Sequence, residues 1–170
     1  IAPDDTAEDK IFYDLVKHVI PHDDHRKHFL DYIAFVIQNP GKKIRHAIVL
    51  QSDEEQLGKG SLFDIVRDIL GKSNTRKIEL GEALDKAKGY LVNSQFVLID
   101  EAKSKGNWQE NSMLVNTLKT IITEGSASTR AMYKDYAEAD TCTCYWINTN
   151  QKISEVLGVF FSRTKKSATA

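Results

Sequence analysis

The sequence predicts a three-layer α/β fold in which helices cover both faces of a mainly parallel β-sheet. Short apolar runs alternate along the chain with longer segments of helical periodicity, and strands of this kind are covered on both faces by crossover helices. Conspicuous polar residues follow several runs, as expected where ligands bind beyond the carboxyl ends of parallel strands. The 170 residues are 41% hydrophobic and 28% charged, which suits a globular chain with a buried core.

Two helical patterns occupy the start of the chain, and we predict a separate N-terminal helical segment over residues 1–44. Apolar residues recur on one face between residues 7 and 20, and Pro21 ends that pattern. The second pattern stops before Pro40-Gly41, a strong chain breaker. Residues 45–170 are then predicted to form the core that contains the sheet.

Strands and helices alternate in this predicted core, in the order that a parallel sheet requires. The predicted strands are 46–50, 77–80, 95–101, 143–148 and 159–161, the predicted helices are 62–70 and 109–123, and a hairpin is predicted from Thr129 to Ala139.

The segment between the first strand and its helix has the order of a phosphate-binding loop. Gly58-Lys59 precedes a helix, whose backbone N–H groups and positive end favour anions. The strict pattern G-x-x-x-x-G-K-(S/T) is not met, because Asp53 replaces the first Gly and Gly60 replaces the hydroxyl residue, with Ser61 one position late. We predict that residues 58–61 bind nucleotide phosphates, with an ordinary strand-to-helix turn as the alternative.

Polar residues also end the two strongest later strand patterns. Asp100 can hold Mg²⁺ through its water shell, with Ser61 as a second ligand, and Glu101 can orient or deprotonate an attacking water. Asn148 or Asn150 can hydrogen-bond a γ-phosphate without adding charge. The alternatives are solvated acids at a strand end and turn-forming asparagines.

Together these motifs resemble the superfamily 3 helicase domain, and more closely the helicase-like region of phage and plasmid primase-polymerase proteins. The resemblance covers roughly residues 25–150. It includes Phe29-Leu30-Asp31-Tyr32, Gln38-Asn39-Pro40-Gly41-Lys42, Gly58-Lys59-Gly60-Ser61-Leu62, Ile99-Asp100-Glu101-Ala102, Leu118-Lys119-Thr120-Ile121-Ile122-Thr123-Glu124 and Ile147-Asn148-Thr149-Asn150. It implies a P-loop NTPase core similar to AAA+ proteins, which hydrolyses ATP with Mg²⁺ between the subunits of a hexameric ring.

The resemblance also implies roles for individual residues in nucleotide turnover. Lys59 matches the Walker lysine, and Asp100 and Glu101 match the Walker B acids. Asn150, rather than Asn148, matches the sensor asparagine. Arg163 is the candidate arginine finger, which would act on the nucleotide of a neighbouring subunit.

A DNA-binding role is implied for the segment between the Walker B acids and the sensor. Lys119 matches the first lysine of a motif that leads into a hairpin, and Arg130 and Lys134 lie in that predicted hairpin. Tyr133 can stack on bases of single-stranded DNA. The alternative is a surface hairpin with ordinary charges and half-buried tyrosines. A primase or polymerase domain in the same polypeptide is the implied partner.

Composition limits the other classes of function. A formal net charge of −1 excludes a global basic field, so DNA contacts require a local patch or several pooled subunits. No apolar run approaches the ~20 residues that span a bilayer, so we expect a cytoplasmic protein without a membrane partner. Cys142 and Cys144 are predicted to stay reduced. Because the chain starts at Ile1 without Met, we expect part of a longer protein.

Two further features keep alternatives open. Asp53, Glu54 and Glu55 would repel a nucleotide triphosphate, so the same fold could instead be a nucleotide-degenerate module for oligomerisation and DNA binding beside a primase or polymerase. The histidines at 22, 25 and 28 lie near one helical face. We interpret them as exposed residues of an amphipathic helix rather than as a metal site.

Overall fold

The computed structural model describes residues 9–52, 57–84, 94–100, 108–130 and 136–150, with the backbone alone described at 84, 108–114, 127–130 and 136–139. The helices are α1 (Lys10–Val19), α2 (Asp23–Gln38), α3 (Lys59–Leu70), α4 (Leu80–Leu84) and α5 (Trp108–Thr123). The strands are β1 (Ala47–Gln51), β2 (Thr75–Glu79), β3 (Phe96–Asp100), β4 (Ser126–Arg130), β5 (Tyr136–Asp140) and β6 (Cys144–Thr149).

Four parallel strands form the central sheet, in the order β1-β6-β3-β2. The register places Ile147 of β6 between Val49 of β1 and Ile99 of β3. The strand that comes last in the chain is therefore inserted between two earlier strands. This arrangement confirms the predicted α/β class with a parallel sheet, and it brings the carboxyl ends of β1, β6 and β3 to one edge of the sheet.

Helices cover both faces of this sheet. Alternate residues of β3 divide between the faces, as strand geometry requires: Phe96 and Leu98 face one hydrophobic cluster, and Val97 and Ile99 face the other. The first cluster contains Val16 of α1 with Ile20 just after it, Phe29, Tyr32, Ile33 and Val36 of α2, Leu62, Phe63 and Val66 of α3, and Ile48, Cys144 and Trp146 of the sheet. The second contains Ala83 of α4 and Val115, Leu118 and Ile121 of α5. The predicted N-terminal segment thus supplies two helices to the same core as the sheet.

Aromatic rings fill the centre of the first cluster. Phe29 and Phe63 pack edge-on against Trp146, with ring centroids 5.3 and 5.7 Å away. The Tyr32 hydroxyl lies 3.2 Å from the carbonyl oxygens of His46 and Tyr145. These contacts hold α2 and α3 against β6, and they support the edge of the sheet where β6 ends.

Some element boundaries differ from the sequence prediction. α3 begins at Lys59 rather than at residue 62, because its first turn is polar and carries no apolar periodicity. β2 covers Thr75–Glu79 instead of 77–80, since its pairing with β3 fixes its extent. Leu80 begins α4, which is too short to show a helical pattern. The strand predicted over 159–161 lies outside the described residues.

The predicted hairpin is confirmed and is longer than its sequence pattern indicated. β4 and β5 pair antiparallel, with Ser126 opposite Asp140. The Thr141 N–H donates to the Gly125 carbonyl at 2.8 Å and closes the base of the hairpin. Because β6 begins shortly after Thr141, this base lies at the amino end of β6, away from the edge where β6 ends.

Two sequence expectations concern surfaces and thiols. Within the described part of the chain, each helix is too short or too polar to cross a membrane.

Both cysteines are free, with Cys144 buried at the start of β6 and Cys142 half-buried just before it. Burial raises the pKa of the Cys144 thiol, so this group stays protonated and unreactive near neutral pH.

Candidate nucleotide-binding site

The start of α3 is shaped by the residue that precedes it. Gly58 has φ 85° and ψ 6°, in the left-handed region that favours glycine. A Cβ atom at Gly58 would lie 3.2 Å from Leu15 Cδ1 of α1, so the Leu15 side chain would have to shift by a few tenths of an ångström. The first hydrogen bond of α3 runs from the Leu62 N–H to the Gly58 carbonyl. The N–H groups of residues 59–61 therefore lie in the first helical turn, which favours anions.

Lys59 is buried although it carries a charge, with 9% of its surface exposed. Its Nζ donates to Ser52 Oγ at 2.7 Å, to Asn150 Oδ1 at 2.8 Å and to the Thr149 carbonyl at 3.3 Å. Burial lowers the pKa of Lys59, and the nearby negative charge of Asp100 partly opposes that shift. The ammonium is thus held by uncharged oxygens in the neighbourhood of a carboxylate.

The strand order explains why these partners meet. Ser52 follows β1 and Asn150 follows β6, and the two strands are neighbours in the sheet. The Ser52 N–H also donates to the Thr149 carbonyl at 3.1 Å, which continues the pairing beyond β1. The Lys59 side chain lies across this junction. The structure therefore brings together two residues predicted from sequence, Lys59 and Asn150, and adds Ser52.

Asp100 ends β3, on the other side of β6. The amide nitrogen of Asn148 lies 3.3 Å from Asp100 Oδ1, and Trp146 Nε1 donates to Asn148 Oδ1 at 2.7 Å. An indole N–H can only donate, so it turns the amide oxygen of Asn148 towards Trp146 and the amide N–H₂ towards Asp100. The buried Trp146 ring thereby fixes the hydrogen-bonding direction of a residue that contacts the acid.

The Lys77 ammonium also contacts the Asp100 carboxylate. Lys77 Nζ lies 2.7 Å from Asp100 Oδ2, and the two side chains are 52% and 25% exposed. They border an open cleft of about 600 Å³, which Glu79 and Glu82 also line. Lys77 was not predicted as a site residue from the sequence, because no local pattern indicates that β2 pairs with β3.

The donor set at this edge suits a hydrated Mg²⁺ ion bound with phosphates. Mg²⁺ uses one or two carboxylates and retains several waters, so it needs no cage of protein ligands. Asp100 offers carboxylate oxygens to the cleft and already accommodates an ammonium at Oδ2. Ser61 is exposed in the first turn of α3. The carboxylate chemistry at this cleft fits the ion, and Asp100 is the residue that would supply the carboxylate ligand.

A cavity of about 570 Å³ lies beside Lys59 and extends along β1 to the junction of α1 and α2. Its walls include Ser52, His22 and His25, together with apolar residues of β1. The rings of His22 and His25 pack edge to face at 5.4 Å. Among the residues that the structure describes, no group of three or more His, Cys, Asp or Glu side chains could hold a metal ion.

Of the remaining predicted site residues, the structure describes some and not others. Lys119 is exposed on α5, close to the start of the hairpin, and the backbone of Arg130 ends β4. Glu101, Tyr133, Lys134 and Arg163 lie outside the described residues. The hairpin base and the Lys59 site lie at opposite ends of β6.

Comparison with known proteins gives this chain a family. It belongs to a family of unknown function, DUF5906, which matches residues 50–163, more than half of the chain. None of the functionally curated proteins compared with the chain matches it.

Solved structures share the fold. The apo structure of the NrS-1 C-terminal region (305-718) superimposes with a TM-score of 0.74 at 22% identity, covering 84% of this chain and 34% of that one. An A-form apo structure of the same region gives a TM-score of 0.71 at 22% identity, with 85% and 33% covered. This chain thus spans about a third of those chains, and at this identity the likeness shows the fold.

Proposed function

We propose that this chain is the ATP-binding core of a replicative DNA helicase or translocase of the phage primase-polymerase type. The observation that carries the proposal is the convergence at one edge of the sheet. Lys59 reaches Asn150, just after β6, at 2.8 Å, and Asn148, near the end of β6, lies 3.3 Å from Asp100. A phosphate-binding lysine, a metal-binding acid and a sensor amide are the parts that such a motor requires.

Nucleotide binding would exchange internal contacts for contacts to phosphate. Lys59 would move its ammonium from the oxygens of Ser52 and Asn150 to the β- and γ-phosphates, next to the first turn of α3. The cavity beside Lys59 offers room for the rest of the nucleotide. Asp100 would hold Mg²⁺, which neutralises phosphate charge when it is bound.

Hydrolysis would then use the residues at the ends of β3 and β6. Glu101 would orient the attacking water or take its proton. Asn150, released by Lys59, would hydrogen-bond the γ-phosphate, and Arg163 of a neighbouring subunit would stabilise the charge that develops there. The last step requires an oligomer, and a hexameric ring is our proposal.

DNA contact would come from the opposite end of β6. The base of the hairpin of β4 and β5 lies at that end, and Arg130 lies at the end of β4. Repeated around a ring, Lys119, Arg130, Tyr133 and Lys134 would line a positive channel that stacks and holds single-stranded DNA.

Calorimetric titration of Mg²⁺-ATP into the full protein tests the nucleotide site. Lys59→Met removes the ammonium but keeps the length of the side chain, and we expect at least about a tenfold weaker Kd, since a hydrogen bond to a charged group contributes about 1.5–3 kcal/mol. Lys72→Met, at an exposed turn before β2, is the matched control and should leave Kd unchanged. Equal Kd values for both variants would refute the proposed site.

Turnover is tested separately from binding. Single-stranded DNA should stimulate ATP hydrolysis by the wild-type protein and fail to stimulate it in Lys59→Met. Identical DNA-stimulated rates in the two proteins would exclude an ATP-driven motor at this site.

A second candidate function is a module that oligomerises and binds DNA without turning over nucleotide. The observation that favours it is that the site is satisfied internally, because Lys59 is held by three oxygens and Asp100 is bound by Asn148 and Lys77. A ligand that binds only the folded state raises its melting temperature. Millimolar Mg²⁺-ATP that leaves the melting temperature unchanged would support this second function, and a clear increase would exclude it.

A further inference from the structure

Lys77 occupies a defined position beside Asp100, on a strand that forms one edge of the described sheet. Its Nζ lies 2.7 Å from Asp100 Oδ2, while Asn148 approaches Oδ1 at 3.3 Å. The two carboxylate oxygens therefore have different partners. One partner is an amide fixed by the buried Trp146, and the other is a partly exposed ammonium on a flexible chain.

We propose that Lys77 is a tethered cation that holds the Asp100 carboxylate and is displaced when a divalent cation binds there. The inference rests on the proposed function in one respect, since it takes Asp100 as the metal ligand. It adds a residue of β2 that sets how tightly the metal is held.

Charge explains why the two cations compete. An ammonium at hydrogen-bond distance from Oδ2 and a divalent cation bound to the same carboxylate would lie within a few ångströms of each other. At that distance the two positive charges repel each other strongly. The amide of Asn148 is uncharged and can stay. Metal binding therefore costs the ion pair with Lys77 and leaves the contact with Asn148 in place.

The cleft offers a second position for the displaced ammonium. Glu79 lies two residues from Lys77 and so on the same side of β2, and Glu82 lies at the start of α4. Both line the same cleft as Lys77 and Asp100. The side chain can thus turn from one carboxylate to another without becoming buried.

Titration with Mn²⁺ tests the displacement without nucleotide or activity. Free Mn²⁺ would be measured by electron paramagnetic resonance in the nucleotide-free full protein. We expect Lys77→Met to bind Mn²⁺ about three- to tenfold more tightly than wild type, in keeping with a partly exposed charge contact. Lys77→Arg retains the charge and should bind as weakly as wild type. Lys72→Met removes the same charge before β2 and should leave the affinity unchanged.

The outcomes separate this inference from the proposed function. If Asp100→Asn weakens Mn²⁺ binding but Lys77→Met matches wild type, the tethered cation is refuted while Asp100 remains a metal ligand. If Asp100→Asn binds Mn²⁺ as wild type does, both ideas fail. Absence of Mn²⁺ binding in wild type and Lys77→Met alike also overturns the inference. Circular dichroism checks that each variant is folded.

Discussion

At the scale of single residues, two asparagines have different partners, Asn148 in β6 and Asn150 just after it. Asn150 accepts a hydrogen bond from Lys59, and Asn148 contacts Asp100. The sequence offered both as sensor candidates, and only resemblance to a family favoured Asn150. Asn148 lies near the end of β6 and Asn150 follows the strand directly, while the strand order puts β1 and β3 on either flank. The end of one strand therefore provides hydrogen-bond partners for both Lys59 and Asp100.

The buried bond between Trp146 and Asn148 leads to a prediction about stability. Trp146→Phe keeps an aromatic ring but leaves the Asn148 oxygen without its donor, so we expect the free energy of unfolding to fall by about 2–4 kcal/mol. Asn148→Leu leaves the indole N–H without an acceptor. The double variant leaves neither group unsatisfied, so its loss should be smaller than the sum of the two single losses. If the two single losses, measured by urea unfolding, add up to the loss in the double variant, Trp146 and Asn148 are not energetically coupled and the prediction is wrong.

At the scale of elements, the beginning of α3 depends on one glycine and not on its neighbour. Gly58 has a positive φ and a Cβ there would crowd Leu15 of α1, whereas Gly60 is helical and nothing lies within 4 Å of the Cβ it would carry. The sequence pattern marks both positions as part of a phosphate loop. Backbone geometry separates them, because only one of the two requires the left-handed conformation.

This difference predicts opposite effects of the same substitution. Gly58→Ala should lower the free energy of unfolding by about 1–2 kcal/mol through backbone strain, with a further loss from the contact with Leu15. Gly60→Ala should raise it by about 0.5 kcal/mol, because alanine loses less conformational entropy in a helix. Chemical denaturation of both variants provides the measurement. A similar shift in both would contradict the assigned backbone conformations.

At the scale of the whole molecule, the N-terminal helices and the sheet share one core. Val16 of α1 is fully buried in the same cluster as Trp146 of β6. The sequence suggested a boundary near residue 44, because a chain breaker precedes the first strand. Helical periodicity identifies an apolar face, but it does not say which surface covers that face.

The shared core predicts that the chain unfolds as one cooperative unit. Val16→Ala should lower the free energy of unfolding by about 2 kcal/mol, from the lost methyl groups and the cavity they leave. Far-ultraviolet circular dichroism and the fluorescence of Trp146, in a Trp108→Phe background, should shift to the same lower urea midpoint. A separate early transition seen only by circular dichroism would indicate that α1 and α2 unfold independently.

Much of the fold followed from local patterns. The apolar run of β3 and the periodicity of α2 and α3 are strong signals, and the hairpin between α5 and β6 was also predicted. The short helix α4 and the true extent of β2 were not, because α4 spans little more than one turn and β2 takes its bounds from pairing with β3. In the site, Gly58, Lys59, Asp100 and Asn150 were predicted because they lie at or after the ends of apolar strand patterns. Ser52 and Lys77 did not, since polar residues after or within an edge strand are common.

The sequence by itself determined the alternation of strands and helices and the polar residues that follow β1, β3 and β6, because these depend on periodicity and on neighbours along the chain. Only the tertiary structure decided that β6 lies between β1 and β3 and that β2 flanks β3 on its other side. That order determines which polar groups meet, pairing Lys59 with Asn150 and Asp100 with Asn148 and Lys77. The physical reason is that parallel pairing joins strands distant in sequence, and the stability of each pairing comes from the burial of both sheet faces together.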